Sequence, residues 1–224
     1  MINFAEVAEL AEMTCRNKMN VDKRDITWSR NLAYAVGLIT TDGNLSKDGR
    51  HFTFISKDIN LIKTFKHCLG LNNRITVKPS GYSNKMYHKI QFSNVKLYRW
   101  LLKVGLTPNK SKTVGKLSLP RKYLADFLRG HVDGDGHLRA FQDPAYPNSK
   151  RLYVVFHSAS LKHLKWIQKQ IYKSLLINGW IEYSTRVWRL TYAKSESKIL
   201  LPFLYYDKNV PCLDRKKRII ESFL

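Results

Sequence analysis

Two aspartates end matching stretches of this chain, Asp42 in Ile39-Thr-Thr-Asp-Gly43 and Asp135 in Val132-Asp-Gly-Asp-Gly136. They lie 135 − 42 = 93 residues apart, and the same offset sets Gly37 on Gly130, Ile39 on Val132, Gly43 on Gly136 and Leu45 on Leu138. Each acid therefore ends an apolar helical pattern with a glycine five residues before it. Small residues let two helix backbones approach closely. If the two helices cross at Gly37 and Gly130, their C-terminal ends lie side by side and the carboxylates meet. Like charges there repel each other and the helix dipoles, so the pair calls for a divalent cation. Hard oxygen ligands select Mg²⁺, which keeps several waters and also contacts substrate phosphate. Asp133 aligns with Thr40 instead, and is expected to serve helix-end hydrogen bonding.

Other chemistries fit the Asp-Gly-Asp-Gly stretch poorly. A calcium loop starting at Asp133 needs glycine at its sixth position and glutamate at its twelfth; Gly136 is fourth and Pro144 twelfth. A plain Asp-Gly turn is common, but a second copy at a matching helix end is hard to assign to chance. His131 and His137 flank the stretch without the Asn and second His of a His-Asn-His nuclease. His131 is expected at a helix interface and His137 at a strand start.

The elements that must position these acids repeat as well. Thr27 or Ser29 can cap a helix through Leu32, Val36 and Ile39. Next come a hairpin around Lys47-Asp-Gly49, an amphipathic helix over 58–69 carrying Ile59, Ile62, Phe65 and Leu69, a second hairpin over 74–92 and a helix near Val95–Val104. The order then recurs from Arg121. Phe54-Ile55-Ser56 matches Phe156-His157-Ser158 at an offset of 156 − 54 = 102, so the second repeat has a longer first hairpin, across Phe141–Arg151. The expected fold class is α+β, built from two pseudo-symmetric αββαββα repeats. Residues 1–26 read as an N-terminal helical appendage, 27–118 as the first repeat and 119–224 as the second.

Composition points to the partner. The 224 residues carry 39 Lys and Arg against 17 Asp and Glu, a formal net charge of +22. Between Asp58 and Asp126 there are fourteen Lys and Arg and no acid. From Pro144 to Tyr206 there are ten, against Glu182 and Glu196. A merely soluble surface intersperses both signs, whereas this one is built to face phosphates. Cys15, Cys68 and Cys212 are too far apart for a zinc ribbon or a disulfide framework. No apolar run spans a membrane, and the acids Glu6, Glu9 and Glu12 are unlike a signal or transit peptide. The protein is expected in the cytoplasm or an organellar matrix, where it is made, and not secreted.

Ala35-Val-Gly-Leu-Ile-Thr-Thr-Asp-Gly43 and Leu128-Arg-Gly-His-Val-Asp-Gly-Asp-Gly136 resemble the two motifs of a single-chain LAGLIDADG homing endonuclease, and the likeness covers nearly everything after residue 28. Thr40, Arg129 and His131 depart from the family pattern without touching a metal ligand. The resemblance implies that two packed motif helices form the repeat interface. It implies that Asp42 and Asp135 hold catalytic metal, helped by the backbone carbonyls of Thr41 and Gly134, and that each repeat cuts one DNA strand. Mg²⁺ is the implied ion, with Mn²⁺ or Ca²⁺ able to replace it for binding. A late lysine in each repeat is implied too. Pro108-Asn-Lys-Ser-Lys-Thr113 and Pro211-Cys-Leu-Asp-Arg-Lys-Lys217 occupy those places, and Lys112 and Lys216 are selected over Lys110, Arg215 and Lys217.

The antiparallel sheets of such a protein form a DNA-binding saddle in the major groove, where a β-ribbon can read base edges. Candidate contacts are Arg50, Arg74, Lys78, Lys85, Lys89 and Gln91 in the first repeat. In the second they are Arg139, Gln142, Lys150, Arg151, Tyr153, Arg186, Trp188 and Arg189. A slip of one residue swaps the faces of a strand, so register decides among them. The expected protein is a monomer acting on double-stranded DNA with a long pseudo-palindromic or asymmetric target, with intron RNA as a further partner. The rival expectation is a non-cutting nucleic-acid binding protein of the same fold, an intron maturase or a transcription factor. An intein is disfavoured, because the chain begins with Met and ends in Phe-Leu.

Overall fold

The computed structural model describes residues 25–80, 83–144 and 146–221. All but the last two residues of the expected N-terminal appendage, together with Cys15, lie outside the described residues, as do the side chains of 80–85, 143 and 146–149.

The first repeat runs α1 (Arg30–Thr41), β1 (Gly43–Leu45), β2 (His51–Ser56), α2 (Ile59–Cys68), β3 (Thr76–Ser80), β4 (Ser83–Ser93) and α3 (Val95–Val104). The second runs α4 (Leu124–Asp135), β5 (His137–Asp143), β6 (Tyr146–Ser158), α5 (Leu161–Leu175), β7 (Trp180–Ser184), β8 (Val187–Tyr192), α6 (Lys194–Leu204) and α7 (Asp214–Glu221). The αββαββα order thus occurs twice, with α7 added at the end. Local chemistry starts the helices where polar caps stand. The Ser29 hydroxyl accepts from the Leu32 N–H at 3.1 Å, Asp58 Oδ1 from Asn60 at 2.9 Å and Asn94 Oδ1 from Leu97 at 2.9 Å. Gly105, at φ 111°, ends α3 in the left-handed region that glycine occupies freely.

The two four-stranded antiparallel sheets have the same order, β1-β2-β4-β3 and β5-β6-β8-β7. Each buries one face. In the first sheet Leu45, Phe52, Phe54, Ile90 and Phe92 point inward, and Phe52 and Phe92 stack at 4.8 Å. In the second Leu138, Leu152, Val154, Phe156, Leu190 and Tyr192 do so. No helix among the described residues is long and apolar enough to cross a membrane.

The repeats join through α1 and α4. Residues 32–40 of α1 are all buried, so this helix belongs to the middle of the molecule. A β-carbon added to Gly37 would overlap the Phe127 carbonyl and lie 2.7 Å from the His131 nitrogen; one added to Gly130 would overlap the Tyr34 carbonyl. Since 127 − 34 = 93, the two collisions are the same contact seen from each side. Any larger residue would force the axes apart. Gly43 and Gly136 form a second matched pair, with no room for a side chain against Ile39 and Val132. Neither glycine is required there for a left-handed turn; crowding by the preceding helix turn is what excludes a β-carbon.

Candidate active site and nucleic-acid interface

The crossing at Gly37 and Gly130 brings the ends of α1 and α4 together. Asp42 is the residue that caps α1, its N–H donating to the Leu38 carbonyl at 3.0 Å, and Asp135 is the last residue of α4. Gly134 packs directly on Thr41, and a β-carbon there would also lie 3.1 Å from Asp42 Oδ2. Both acids line a cleft of about 720 Å³ that opens between Ile55, Lys57, Tyr87 and Arg215. Burial, then the charge of Asp135, pushes the Asp42 carboxyl up from 3.8 to about 7, against the opposing pull of Lys216 and Lys110. Burial raises Asp135 too, opposed by His157, Lys216 and Lys110.

Two buried lysines complete the cluster. Lys110 Nζ donates to the Gly43 carbonyl, and Lys216 Nζ donates to the carbonyls of Val132, of Gly136 at 2.8 Å and of Asp133 at 3.2 Å. Gly43 and Gly136 are symmetry mates, so the two amines hold equivalent positions. Burial lowers each from 10.5 to about 8, opposed by the nearby acids. The expected assignment of Lys112 is therefore corrected: Lys112 is exposed, and its neighbour Lys110 reaches the acids. The three-residue 3-10 turn Lys110–Lys112 points the first lysine inward and the third outward. Lys216 is buried beside the acids.

The donors fit a hard divalent cation. The carboxylates of Asp42 and Asp135 and the backbone carbonyls at the two helix ends are oxygen donors of the kind such an ion takes. No group of three or more His, Cys, Asp or Glu placed to hold a metal ion occurs among the described residues.

Several residues hold this centre in place. Asp133 is buried, as helix-end bonding requires: its Oδ2 accepts from the Tyr34 hydroxyl and from the Leu213 N–H, both at 2.8 Å. It thus ties α1 to the segment that carries Lys216. Arg129 is fully buried and donates to the carbonyls of Leu204 at 2.6 Å and Pro211 at 2.7 Å and to Asp126 Oδ1 at 2.6 Å. A residue that departs from the motif thereby clamps the α6–α7 loop. His131 lies at the helix interface, stacked on His163 at 5.3 Å, with burial pushing its ring well below the usual histidine range.

His157 was not foreseen. Its Nδ1 meets the Asp135 carbonyl at 2.8 Å from β6, whereas the equivalent position in the first repeat is Ile55. The sequence signal was one polar substitution within the matched triplets Phe54-Ile55-Ser56 and Phe156-His157-Ser158.

Strand register sorts the remaining candidates. Thr53 pairs with Gln91, Ile55 with Lys89 and Tyr87 with Lys78, all opposite the Phe52/Phe54 face, so Lys78, Lys89 and Gln91 share the open face. Arg139 pairs with Tyr153 and Phe141 with Arg151, opposite the Leu138/Val154 face; Arg189, across from His157, lies on that open face too. Arg189 is bound to Glu182 at 3.0 Å. Gln142 and Lys150 pair with each other on the covered side of the sheet, at its outer end, and Trp188 meets Tyr183 on the same side with ring centroids 4.9 Å apart and the planes tilted by 57°. These three are corrections to the expected DNA face, because each is an even number of residues from an inward-pointing side chain. Arg50 and Arg74 are exposed beside the first sheet, Arg186 occupies the β7–β8 turn at φ 74°, and the Lys85 side chain lies outside the described residues. Asn44, Thr53 and Thr76 also share the open face and were not foreseen.

This arrangement is the LAGLIDADG homing endonuclease fold. The chain is similar to the homing endonuclease I-WcaI bound to its DNA recognition sequence, at 12% identity and a TM-score of 0.63, with 90% of each chain covered. It is also similar to variants of I-DmoI, at 15% identity and a TM-score of 0.53 over 86% of this chain and 97% of that one. A third likeness is to the N-terminal LAGLIDADG domain of DUF199/WhiA, at 17% identity and a TM-score of 0.55, over 89% and 91%. The chain spans 63% of the length of full-length DUF199/WhiA from Thermatoga maritima. No family model and no curated protein matches the sequence.

Proposed function

We propose that the chain is a monomeric, site-specific double-strand DNA endonuclease of the homing type, which hydrolyses one phosphodiester per strand. The observation that carries this reading is the pairing of Asp42 with Asp135 between two buried, symmetry-related lysines, Lys110 and Lys216, under two open basic sheet faces. The acids and the carbonyls of Thr41 and Gly134 would hold Mg²⁺, with Mn²⁺ or Ca²⁺ able to replace it for binding. A bound divalent ion supplies Lewis acidity and a more acidic water at the scissile phosphate. The lysine amines, charged below about pH 8, place positive charge where it develops negatively during displacement. Lys78, Lys89 and Gln91, with Arg139, Arg151, Tyr153 and Arg189, would contact duplex DNA from the open faces; Arg50, Arg74 and Arg186 would reach its backbone at the edges.

A second reading, a non-cutting nucleic-acid binding protein of the same fold such as a maturase or a transcription factor, draws on the comparable likeness to DUF199/WhiA. One experiment separates the two. Purified protein with Mg²⁺ is expected to linearise a plasmid carrying the uninterrupted allele of its own genomic locus. Asp135→Asn is expected to abolish double-strand cutting while leaving DNA retention in a gel shift within about threefold, because no base or phosphate contact is removed. Binding without cutting by the wild type would favour the second reading.

A further inference from the structure

The two halves of the acidic centre are built from matching elements but are not held alike. Among the described residues Lys216 Nζ donates to three carbonyls, those of Val132, Asp133 and Gly136, whereas Lys110 Nζ donates to that of Gly43. The segment that carries Lys216 is tied to α4 by Arg129, through the carbonyls of Leu204 and Pro211, and by Asp133, through the Leu213 N–H. At the offset of 93 their mates on α1 are Val36 and Thr40. Valine has no donor, and the Thr40 hydroxyl donates within its own helix, to the Val36 carbonyl at 2.7 Å.

The strands differ in the same sense. Gly43 pairs with Phe54 and His137 with Val155; carried on to the helix ends, that register sets Ile55 beside Asp42 as it sets His157 beside Asp135. The last carbonyls of a helix have no partner within it. His157 Nδ1 lies 2.8 Å from the Asp135 carbonyl, and since a carbonyl only accepts, the ring nitrogen donates and the neutral ring carries its proton on Nδ1. At the matching place Ile55 has no donor to give.

Displacement at phosphorus needs the reacting groups held in line, and a misplacement of about 1 Å costs on the order of a hundredfold in rate. Charges fixed in advance stabilise the transition state without reorganising. The half that contains Asp135, Lys216 and His157 meets both conditions with more bonds than the half that contains Asp42, Lys110 and Ile55. We infer that the two strands are cut in a fixed order, the phosphodiester served by Asp135 and Lys216 first, and that His157 is the positioning residue that sets this bias by holding the end of α4. This order rests on the cleavage reading proposed above, and it makes a duplex nicked in one defined strand the intermediate.

The test follows both strands of one duplex, each end-labelled with a different dye, in a single turnover with the full chain and Mg²⁺. Wild type is expected to cut one strand at least about tenfold faster than the other, because the hydrogen-bond partners of a ligand residue are typically worth about 10–100-fold in activity. His157→Ile, which installs the residue of the first repeat, is expected to slow only that faster strand and to bring the two rates within about threefold of each other. His157→Asn, whose amide N–H stands close to the place of Nδ1, is expected to keep the bias. In the metal-free wild type, a nitrogen-15 spectrum is expected to show the neutral His157 ring protonated on Nδ1. Equal slowing of both strands by His157→Ile, an unchanged ratio in that variant, a bias lost in His157→Asn, or a neutral ring protonated on Nε2 would each overturn the assignment. Wild-type protein that retains the duplex and cuts neither strand would overturn the cleavage reading, and the order of cutting with it.

Discussion

Replacing Asp42 with asparagine is expected to stabilise the metal-free protein, and to do so more at alkaline than at acidic pH. The carboxyl is held at about 7 against an ordinary 3.8 by burial and by the facing Asp135. A folded state that binds the proton more tightly than the unfolded state is penalised once that proton leaves. The penalty is therefore full above pH 7, shrinks as the pH falls and is gone below 3.8. Working from these two values, it amounts to roughly 4 kcal/mol at pH 8 and roughly 2 kcal/mol at pH 5, as upper values for a group at a cleft wall. The difference of about 2 kcal/mol between the two pH values is the sharper quantity.

The assay is urea unfolding of wild type and Asp42→Asn in the presence of a chelator, at pH 5 and pH 8. The variant is expected to gain over the wild type at both, by more at pH 8. Added Ca²⁺ is then expected to raise the wild-type midpoint at pH 8 and to do so much less in the variant, since binding to the folded state alone stabilises it. A gain that does not change with pH, or a loss of stability at pH 8, would show that the two acids do not share a repulsive, desolvated site, and the argument for a cation there would fall with it.

Two further outcomes follow from the geometry. Lys110→Met is expected to lower the cutting rate at least about a hundredfold, by removal of a charge aimed at the reacting phosphate, while Lys112→Met cuts within about threefold of wild type; similar rates for both variants in a single-turnover plasmid assay would remove Lys110 from the centre. Gly130→Ala is expected to cost about 1–3 kcal/mol in unfolding free energy by overpacking against the Tyr34 carbonyl, and to impair cutting by spreading Asp42 from Asp135; a fully stable, fully active variant would show that the helices can separate without consequence.

Much of this fold was legible from the sequence because its determinants are local or repeated. The cap at Ser29 and the 3.6- and 2-residue periods act within a few residues of themselves. The 93-residue offset turned two Asp-Gly turns into one site, since glycines that face each other across a crossing must occur as a pair. The basic charge and the silence of acids between 58 and 126 are properties of composition alone.

The rest depended on distances between parts of the chain that sequence proximity does not encode. Lys110 and Lys112 are equally basic and stand two residues apart; only the seating of a 3-10 turn against the Gly43 carbonyl makes one of them internal. Gln142, Lys150 and Trp188 sit in the right strands but one step out of register, and pairing with a partner strand is what fixes that step. His157 reaches the Asp135 carbonyl from 22 residues away, and Arg129 satisfies its buried charge with carbonyls 75 and 82 residues downstream. The pairing of the acids was determined by the sequence because Asp42 and Asp135 stand in matching contexts 93 residues apart. The side chains that support them were decided by the tertiary structure, because burial and hydrogen-bond geometry choose among chemically equal neighbours.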